Sequence, residues 1–368
     1  MDESSSRADR AQLLPAWRAL AVQRKLRQRD IAQALGVSEG ELVAARVGDN
    51  RRDASGSPHD RVTRIDAGPR RIDFVRALQP LGRVMALTRN CACVHEKDGV
   101  YNNVDGGDRM GLVLDPEIDL RLFLEHWQHV FAVEESGPRG RLRSLQIYDR
   151  WGEAVHKVFL REHSYHATYN ALVAARQHAD QTPALQVDTT PPRALPAPDP
   201  DLMAFQAGWL AMQDTHEFFP LLRKHALPRR QALRLAPAHH AARVGNDTIA
   251  TLLARATKSR APIMVFVGNR GCIQIHSGEI HRVAPMDAWL NVLDPGFNLH
   301  LRTDLIAETW WVKKPTADGP VHSLELLDAA GETIAFVFGA RKPGKPELAA
   351  WVELLDSCCA QHAAGVTA

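Results

Sequence analysis

Val84–Gly99 reads VMALTRNCACVHEKDG, and 179 residues further on Ile263–Gly278 reads IMVFVGNRGCIQIHSG. Met85 coincides with Met264, Asn90 with Asn269, Cys93 with Cys272 and Gly99 with Gly278, with no gap between them. Carried to Phe159 and Phe338, the same offset gives 21 identities in 76 aligned positions. Among these are Leu114-Asp115-Pro116 with Leu293-Asp294-Pro295, Asp149 with Asp328, and Gly152-Glu153 with Gly331-Glu332. Self-similarity at one fixed offset marks a duplicated unit. Each copy alternates apolar and polar residues over short runs broken by Gly, Asp and Pro, the pattern of antiparallel strands with one buried face. Each then closes on a helical segment, around His166–Gln177 and around Pro346–Leu355. The expected fold class is α+β: two tandem homologous halves, each a large antiparallel sheet with flanking helices.

The halves are expected at residues 1–179 and 201–368, joined by a linker over 180–200, DQTPALQVDTTPPRALPAPDP, whose six prolines favour an extended, semi-rigid chain. Residues 11–47 read as short helices, with Ser38 placed to cap one beginning at Glu39. This spacing has the outline of a helix-turn-helix. The second helix, EGELVAAR, carries two glutamates and one arginine, so nucleic acid is not the expected partner. Asp49–Arg64, rich in charge, Gly and Ser, reads as a loop.

Lys and Arg number 45 against 43 Asp and Glu, so no global field selects a polyanion or an anionic membrane. The polar start MDESSSRADRAQLL has no apolar run of a signal peptide, and no window approaches about 18 uninterrupted apolar residues. A cytoplasmic location without membrane insertion is the expectation. The five cysteines, Cys91, Cys93, Cys272, Cys358 and Cys359, form no CxxC pair and read as reduced thiols. If their segment is extended, Cys91 and Cys93 point to one side of a strand.

The helical preface repeats more loosely: Trp17 and Trp209 lie 192 residues apart, Leu42 and Leu233 191 apart. The second preface contains GWLAMQDTHEFFPLL, Gly208–Leu222. At helical spacing Phe205, Trp209, Met212, His216 and Phe219 form one apolar and aromatic stripe. A histidine in such a stripe is either a core residue bonded to a backbone carbonyl or a residue that faces a ligand; an iron porphyrin suits both the imidazole and the aromatic surroundings. On the loose register His216 falls opposite Lys25 or its neighbour, so the first half has no equivalent histidine and one site is expected, not two. His126, His129, His163, His166 and the pair His239-His240 have no accompanying thiols or carboxylate clusters and read as surface or satisfied residues.

With these motifs together, the chain resembles the bacterial haemin-degrading factors and cytoplasmic haem-carrier proteins, the HemS-like family. The resemblance runs over nearly the whole chain and rests on VMALTRN and GLVLDPEIDLRLFLEHW in the first half. In the second half it rests on DTHEFFPLL, PIMVFVGNRGCIQIHSG, NLHLR, KKPTADGPVHSLELLDAAGE and ARKPGKPELAAW. It implies one haem b (iron protoporphyrin IX) held between the halves. His216, in D-x-H-x-F-F, is then the iron ligand. Arg121, in D-L-R-L-F, is the distal and catalytic cation. Lys314, Arg341 and Arg229 are the propionate and pocket-lining cations; Lys314 and Arg341 are expected to act on haem affinity and orientation more than on folding. Phe338 stands where some members carry a tyrosine, so no hydroxyl role transfers. In the repeat register Arg121 is opposite His300 and Lys314 opposite Glu135, so these cations mark where the halves diverge. The function implied is haem-iron utilisation: oxidative degradation of haem to release iron or, alternatively, carriage of haem to a separate haem oxygenase. The partners implied are haem, an oxygenase or importer component, and an external electron donor, because GNRGC and GARKPGK lack the G-x-G-x-x-G spacing of a dinucleotide site.

Overall fold

The computed structural model describes residues 10–24, 27–49, 60–137, 140–189, 200–341 and 344–363. Lys25, Leu26, residues 190–199 of the proposed linker and residues 50–59 of the 49–64 loop lie outside the described residues. The first half runs α1 (Arg10–Arg24), α2 (Gln28–Ala34), α3 (Glu39–Ala44), β1 (Arg61–Ile65), α4 (Arg71–Arg76), β2 (Val84–Arg89), β3 (Cys93–Gly99), β4 (Val104–Gly106), β5 (Met110–Leu114), β6 (Asp119–Phe123), β7 (His129–Gly137), β8 (Gly140–Tyr148), β9 (Ala154–Leu160) and α5 (His166–Ala175). The second runs α6 (Leu202–Leu210), α7 (Phe218–Lys224), α8 (Arg229–Arg234), β10 (Ala241–Val244), α9 (Thr248–Ser259), β11 (Ile263–Gly268), β12 (Cys272–Gly278), β13 (Val283–Met286), β14 (Trp289–Asp294), β15 (Phe297–Arg302), β16 (Glu308–Lys314), β17 (Val321–Leu327), β18 (Thr333–Gly339) and α10 (Ala349–Ala363).

The strands form two antiparallel sheets of nine, ordered β1-β7-β8-β9-β2-β3-β15-β14-β13 and β10-β16-β17-β18-β11-β12-β6-β5-β4. The expected fold class holds, with a feature alternation alone could not reveal: each sheet takes six strands from one half of the sequence and three from the other. The chain packs as two compact units. One comprises Met1–Thr88, Asp98–Pro191 and Asn269–Cys272, the other Arg89–Lys97, Pro192–Gly268 and Ile273–Ala368.

The repeated identities are turn chemistry. Asn90 Oδ1 accepts the N–H groups of Ala92 and Cys93, and Asn269 Oδ1 those of Gly271 and Cys272. The Asn90 amide also donates to Gly268 and Ile334 carbonyls, as the Asn269 amide does to those of Ala154 and Val155. Asp149 Oδ1 accepts from Trp151 and Glu153, and Asp328 Oδ1 from Ala330 and Glu332. Gly152 and Gly331 close these hairpins at φ 76° and 85°, the left-handed region that favours glycine. Asn and Asp recur because a short side chain satisfies turn N–H groups that otherwise stay unpaired.

In the second unit one face of β11, β17 and β18 buries Val265, Leu324 and Val337 among residues of α9 and α10 such as Leu252, Trp351 and Leu355. Trp351 donates Nε1–H to the His322 carbonyl at 3.2 Å and lies over Gly339, where a Cβ would come 2.4 Å from its Cγ. In the first unit Ser38 and Glu41 make the reciprocal capping box that starts α3, as the spacing predicts. Every residue of α3 is buried, so it is not a recognition helix. The cysteine expectation needs correcting: β3 begins only at Cys93, so Cys91 lies in the preceding turn and is exposed while Cys93 is buried. Among the described residues no helix is long and apolar enough to cross a membrane.

Candidate functional site

The Gly208–Leu222 stretch is not one helix. Helix α6 ends at Leu210, Thr215–Glu217 form a single 3-10 turn, and α7 starts at Phe218. Asp214 is the cause: at φ −146° and ψ 142° it is extended, and its Oδ1 accepts the His216 N–H at 2.7 Å, a cap that competes with helix continuation. The stripe therefore holds only through Phe205, Trp209 and Met212, and Phe218 rather than Phe219 takes the next buried place. His216 is turned out of the core, its side chain 88% exposed. The same Asp214 oxygen lies 2.6 Å from His216 Nδ1. The His216 backbone N–H, then the imidazole and the charge of Arg341, hold the Asp214 carboxyl below its ordinary range. An imidazole fixed at Nδ1 by a carboxylate leaves Nε2 as its outward ligand atom, the arrangement that orients metal-binding histidines.

The second face of the second unit's sheet lies beside this turn's helices. Trp310, Val312 and Leu327 pack under α6, α7 and α8 with Phe205, Trp209 and Phe218. Further across, Met264 pairs with Phe338 and Phe266 with Phe336, all four half-buried, and the Phe266 and Phe338 rings meet edge to face at 5.2 Å. This is a flat, aromatic, partly open surface.

A charge cluster edges it. Lys314 Nζ donates to Glu325 Oε1 at 2.5 Å, and Arg229 Nη1 to Glu325 Oε2 at 2.7 Å. The Lys314 ammonium lies 4.5 Å from the Phe218 ring centroid, and the Arg229 guanidinium 4.5 Å from that of Phe336. Burial alone would raise the Glu325 pKa, but Arg229 and Lys314 bring it down to about 2. Burial pulls the Lys314 ammonium below the ordinary lysine value, with Arg229 adding to this and Glu325 opposing it. Two cations on one carboxylate leave a surplus positive charge beside the aromatic surface. Lys314 is 5% exposed, so the surface position assumed for it does not hold, and its charge is held on a buried carboxylate.

Of the residues singled out in the sequence, His216, Arg229, Lys314 and Arg341 belong to the second unit, and Arg229 and Lys314 share one partner. Arg341 is half-buried beside that unit's loop after β18. Arg121 belongs to the first unit, in β6, where Leu120 and Leu122 are fully buried and Arg121 is on the opposite, half-open face, paired with Asp119. Sequence reasoning missed Asp214, Phe218 and Glu325. A signal for Glu325 was present, since it sits inside the apolar run VHSLELL opposite Gln146 in the repeat.

The first unit fills the corresponding place. Gln146 Oε1 accepts from Tyr148 at 2.6 Å and from Gln28 at 3.3 Å, and Gln28 also donates to Glu39 at 2.8 Å. Lys157, at the repeat position of Phe336, pairs with buried Glu39 of α3. Met85 and Phe159 keep the places of Met264 and Phe338, but Leu87 and Lys157 stand where Phe266 and Phe336 do.

The sequence profile of the haemin-degrading HemS/ChuX domain matches residues 36–175 and 226–358. The hemin transport protein HmuS of Yersinia pestis is 39% identical over 326 residues, covering 88% of this chain and 90% of that protein. The crystal structure of holo-PhuS, a heme-binding protein from Pseudomonas aeruginosa, is similar at TM-score 0.88 and 47% identity over 95% of this chain and 99% of that one. The heme degrading enzyme ChuS of Escherichia coli O157:H7 is similar at TM-score 0.86 and 35% identity, covering 95% and 99%. Two profile segments in the two halves, with relatives of this identity along nearly the full length, place the chain in the HemS/ChuX haemin-degrading domain family.

Proposed function

We propose that this chain binds one haem b in haem-iron utilisation, with His216 as the proximal iron ligand, and opens the porphyrin oxidatively to release iron. The observation that carries this reading is the His216–Asp214 dyad: an exposed imidazole whose Nδ1 is already engaged, on a turn held open by the same carboxylate. The donor set fits the group. A flat macrocycle suits the surface of Met264, Phe266, Phe336 and Phe338, and its two propionates suit the surplus charge of Arg229 and Lys314, with Arg341 as a further cation. Arg121 is the catalytic cation in this reading, on the strength of its motif and its unburied face. When bound, haem supplies the redox chemistry; the protein's residues hold, orient and shield it, and electrons come from an external donor.

The second reading, carriage to a separate haem oxygenase or another acceptor, draws on the 88% exposure of His216, since an accessible ligand exchanges readily. One experiment separates the two. Haem complex assembled without oxygen is mixed with a reductant in air, with catalase present to remove free peroxide. Loss of the Soret band with a bilin product supports degradation. Persistence of the band until an oxygenase is added supports carriage. Failure to form a stoichiometric complex rejects both.

A further inference from the structure

A cavity lies within the first unit, lined by none of the residues of the proposed haem site. The end of β1 (Arg64–Ile65), Asp66–Gly68, Arg71 of α4, Trp127–Val130 and His178 enclose about 170 Å³. That is the volume of several waters at roughly 30 Å³ each.

Two guanidinium and two imidazole side chains line it. Arg71 donates Nε–H to the Trp127 carbonyl at 2.5 Å, and among the described residues no carboxylate pairs with its guanidinium. Arg64 pairs through Nη1 with Asp180 at 2.9 Å and donates Nη2 to the Thr182 and Ala184 carbonyls, while its Nε is buried with no hydrogen-bond partner. His129 is half-buried, and burial followed by the charge of Arg64 lowers its pKa to about 4, so it stays neutral and can donate. His178 Nδ1 accepts the Asp180 N–H at 3.0 Å. The one carboxylate of the lining, Asp66, has Oδ1 turned to the Gly68 N–H at 2.7 Å.

The duplicate shows that part of this charge exceeds what the fold requires: Arg64 recurs as Arg243, which donates to the Ala307 carbonyl at 3.3 Å, whereas Arg71 falls opposite Ala250. His129 opens β7 opposite Tyr148, and Glu308 opens β16 opposite Leu327, the same register 179 residues on. The carbonyl equivalent to that of Trp127 is that of Ile306, and there it accepts from the neutral Asn246 amide at 2.8 Å. Glu308 is satisfied internally by Arg234 at 2.6 Å and Trp310 at 2.9 Å. In the first half the internal carboxylate has become an imidazole, and the neutral amide donor has been replaced by a guanidinium.

From this exchange we infer that the corner binds a small oxyanion, a phosphate or phosphomonoester, with Arg71 supplying charge and the Arg64 Nε–H, His129 and His178 supplying hydrogen bonds. A polar, cation-lined space with an orphaned buried guanidinium N–H matches a dianion better than it matches water alone.

The test uses the full chain without haem, titrated at fixed ionic strength with inorganic phosphate, with glycerol phosphate and with acetate, and read by calorimetry and ³¹P line broadening. Saturable binding of phosphate is expected, weakened at least tenfold in Arg71→Asn, which imitates the second half, and lost in His129→Glu. Arg71→Lys, which keeps the charge, should retain part of the affinity and covers the case of a misfolded variant. Tighter binding of the ester than of inorganic phosphate identifies a metabolite phosphate as the ligand; the reverse identifies the free ion. No saturable binding of either, equal binding of acetate, or binding unchanged in Arg71→Asn and His129→Glu overturns the inference.

Discussion

Asp214 holds His216 by two bonds to a single oxygen, so its substitution separates orientation from ligation. Asp214→Asn should keep the turn and the ligand but weaken haem binding roughly 10- to 100-fold, the usual cost of losing such a support. His216→Ala should abolish the high-affinity Soret spectrum. Titrations of both variants measure this, and an unchanged spectrum in His216→Ala would assign the iron to another residue. Glu325→Gln leaves Arg229 and Lys314 without their carboxylate, and breaking a buried pair costs about 3–5 kcal/mol. The sign of its pH dependence follows from the depressed pKa. The contribution is complete above pH about 4.5 and is lost as pH falls from there toward about 2, so urea midpoints of the variant should be flatter than wild type across that window. Arg121→Ala should leave His216 ligation intact and slow haem degradation about a hundredfold, on the order of 3 kcal/mol of barrier, with Lys rescuing only part. Equal rates would remove Arg121 from the machinery.

At the scale of elements, the break between α6 and α7 is what turns a core histidine into an exposed one. Apolar spacing is computed along an ideal helix, and Asp214 ends that helix through a local bond that spacing does not see. Where local chemistry and spacing agree, the element is secure. Ser38→Ala should cost about 1 kcal/mol by removing the α3 cap, which a small fall in the urea midpoint would show. The contact of α10 with its sheet is tighter. Gly339→Ala puts a methyl 2.4 Å from Trp351 Cγ, both in the core, and should cost about 1–3 kcal/mol. An unshifted midpoint would show that α10 can move aside.

For the whole molecule, buried imidazoles set the acid limit. Burial lowers the pKa of His156, bonded to Thr88 and Tyr101, to about 3, and burial with the charge of Lys97 does the same for His276. Unfolded imidazoles take up protons near pH 6.5 while these stay neutral to about pH 3, so the unfolded state binds more protons across that interval. Stability should therefore be complete above pH 6.5 and fall steadily as pH drops toward 3. Thermal midpoints against pH check this, and His156→Asn should reduce the slope.

The duplication, the antiparallel class and the hairpin positions were legible in sequence because Asn90, Asn269, Asp149, Asp328 and the glycines beside them act on neighbours a few residues away, where spacing carries the information. His216 was legible as a candidate through its motif, but its exposure was not. The pairing of Lys314 and Arg229 on Glu325, the face given to Phe266 and Phe336, and the division of each sheet into six strands from one half and three from the other were decided only in three dimensions. These depend on which distant strands become neighbours, and strand alternation fixes which side a residue faces but not which chain segment lies beside it.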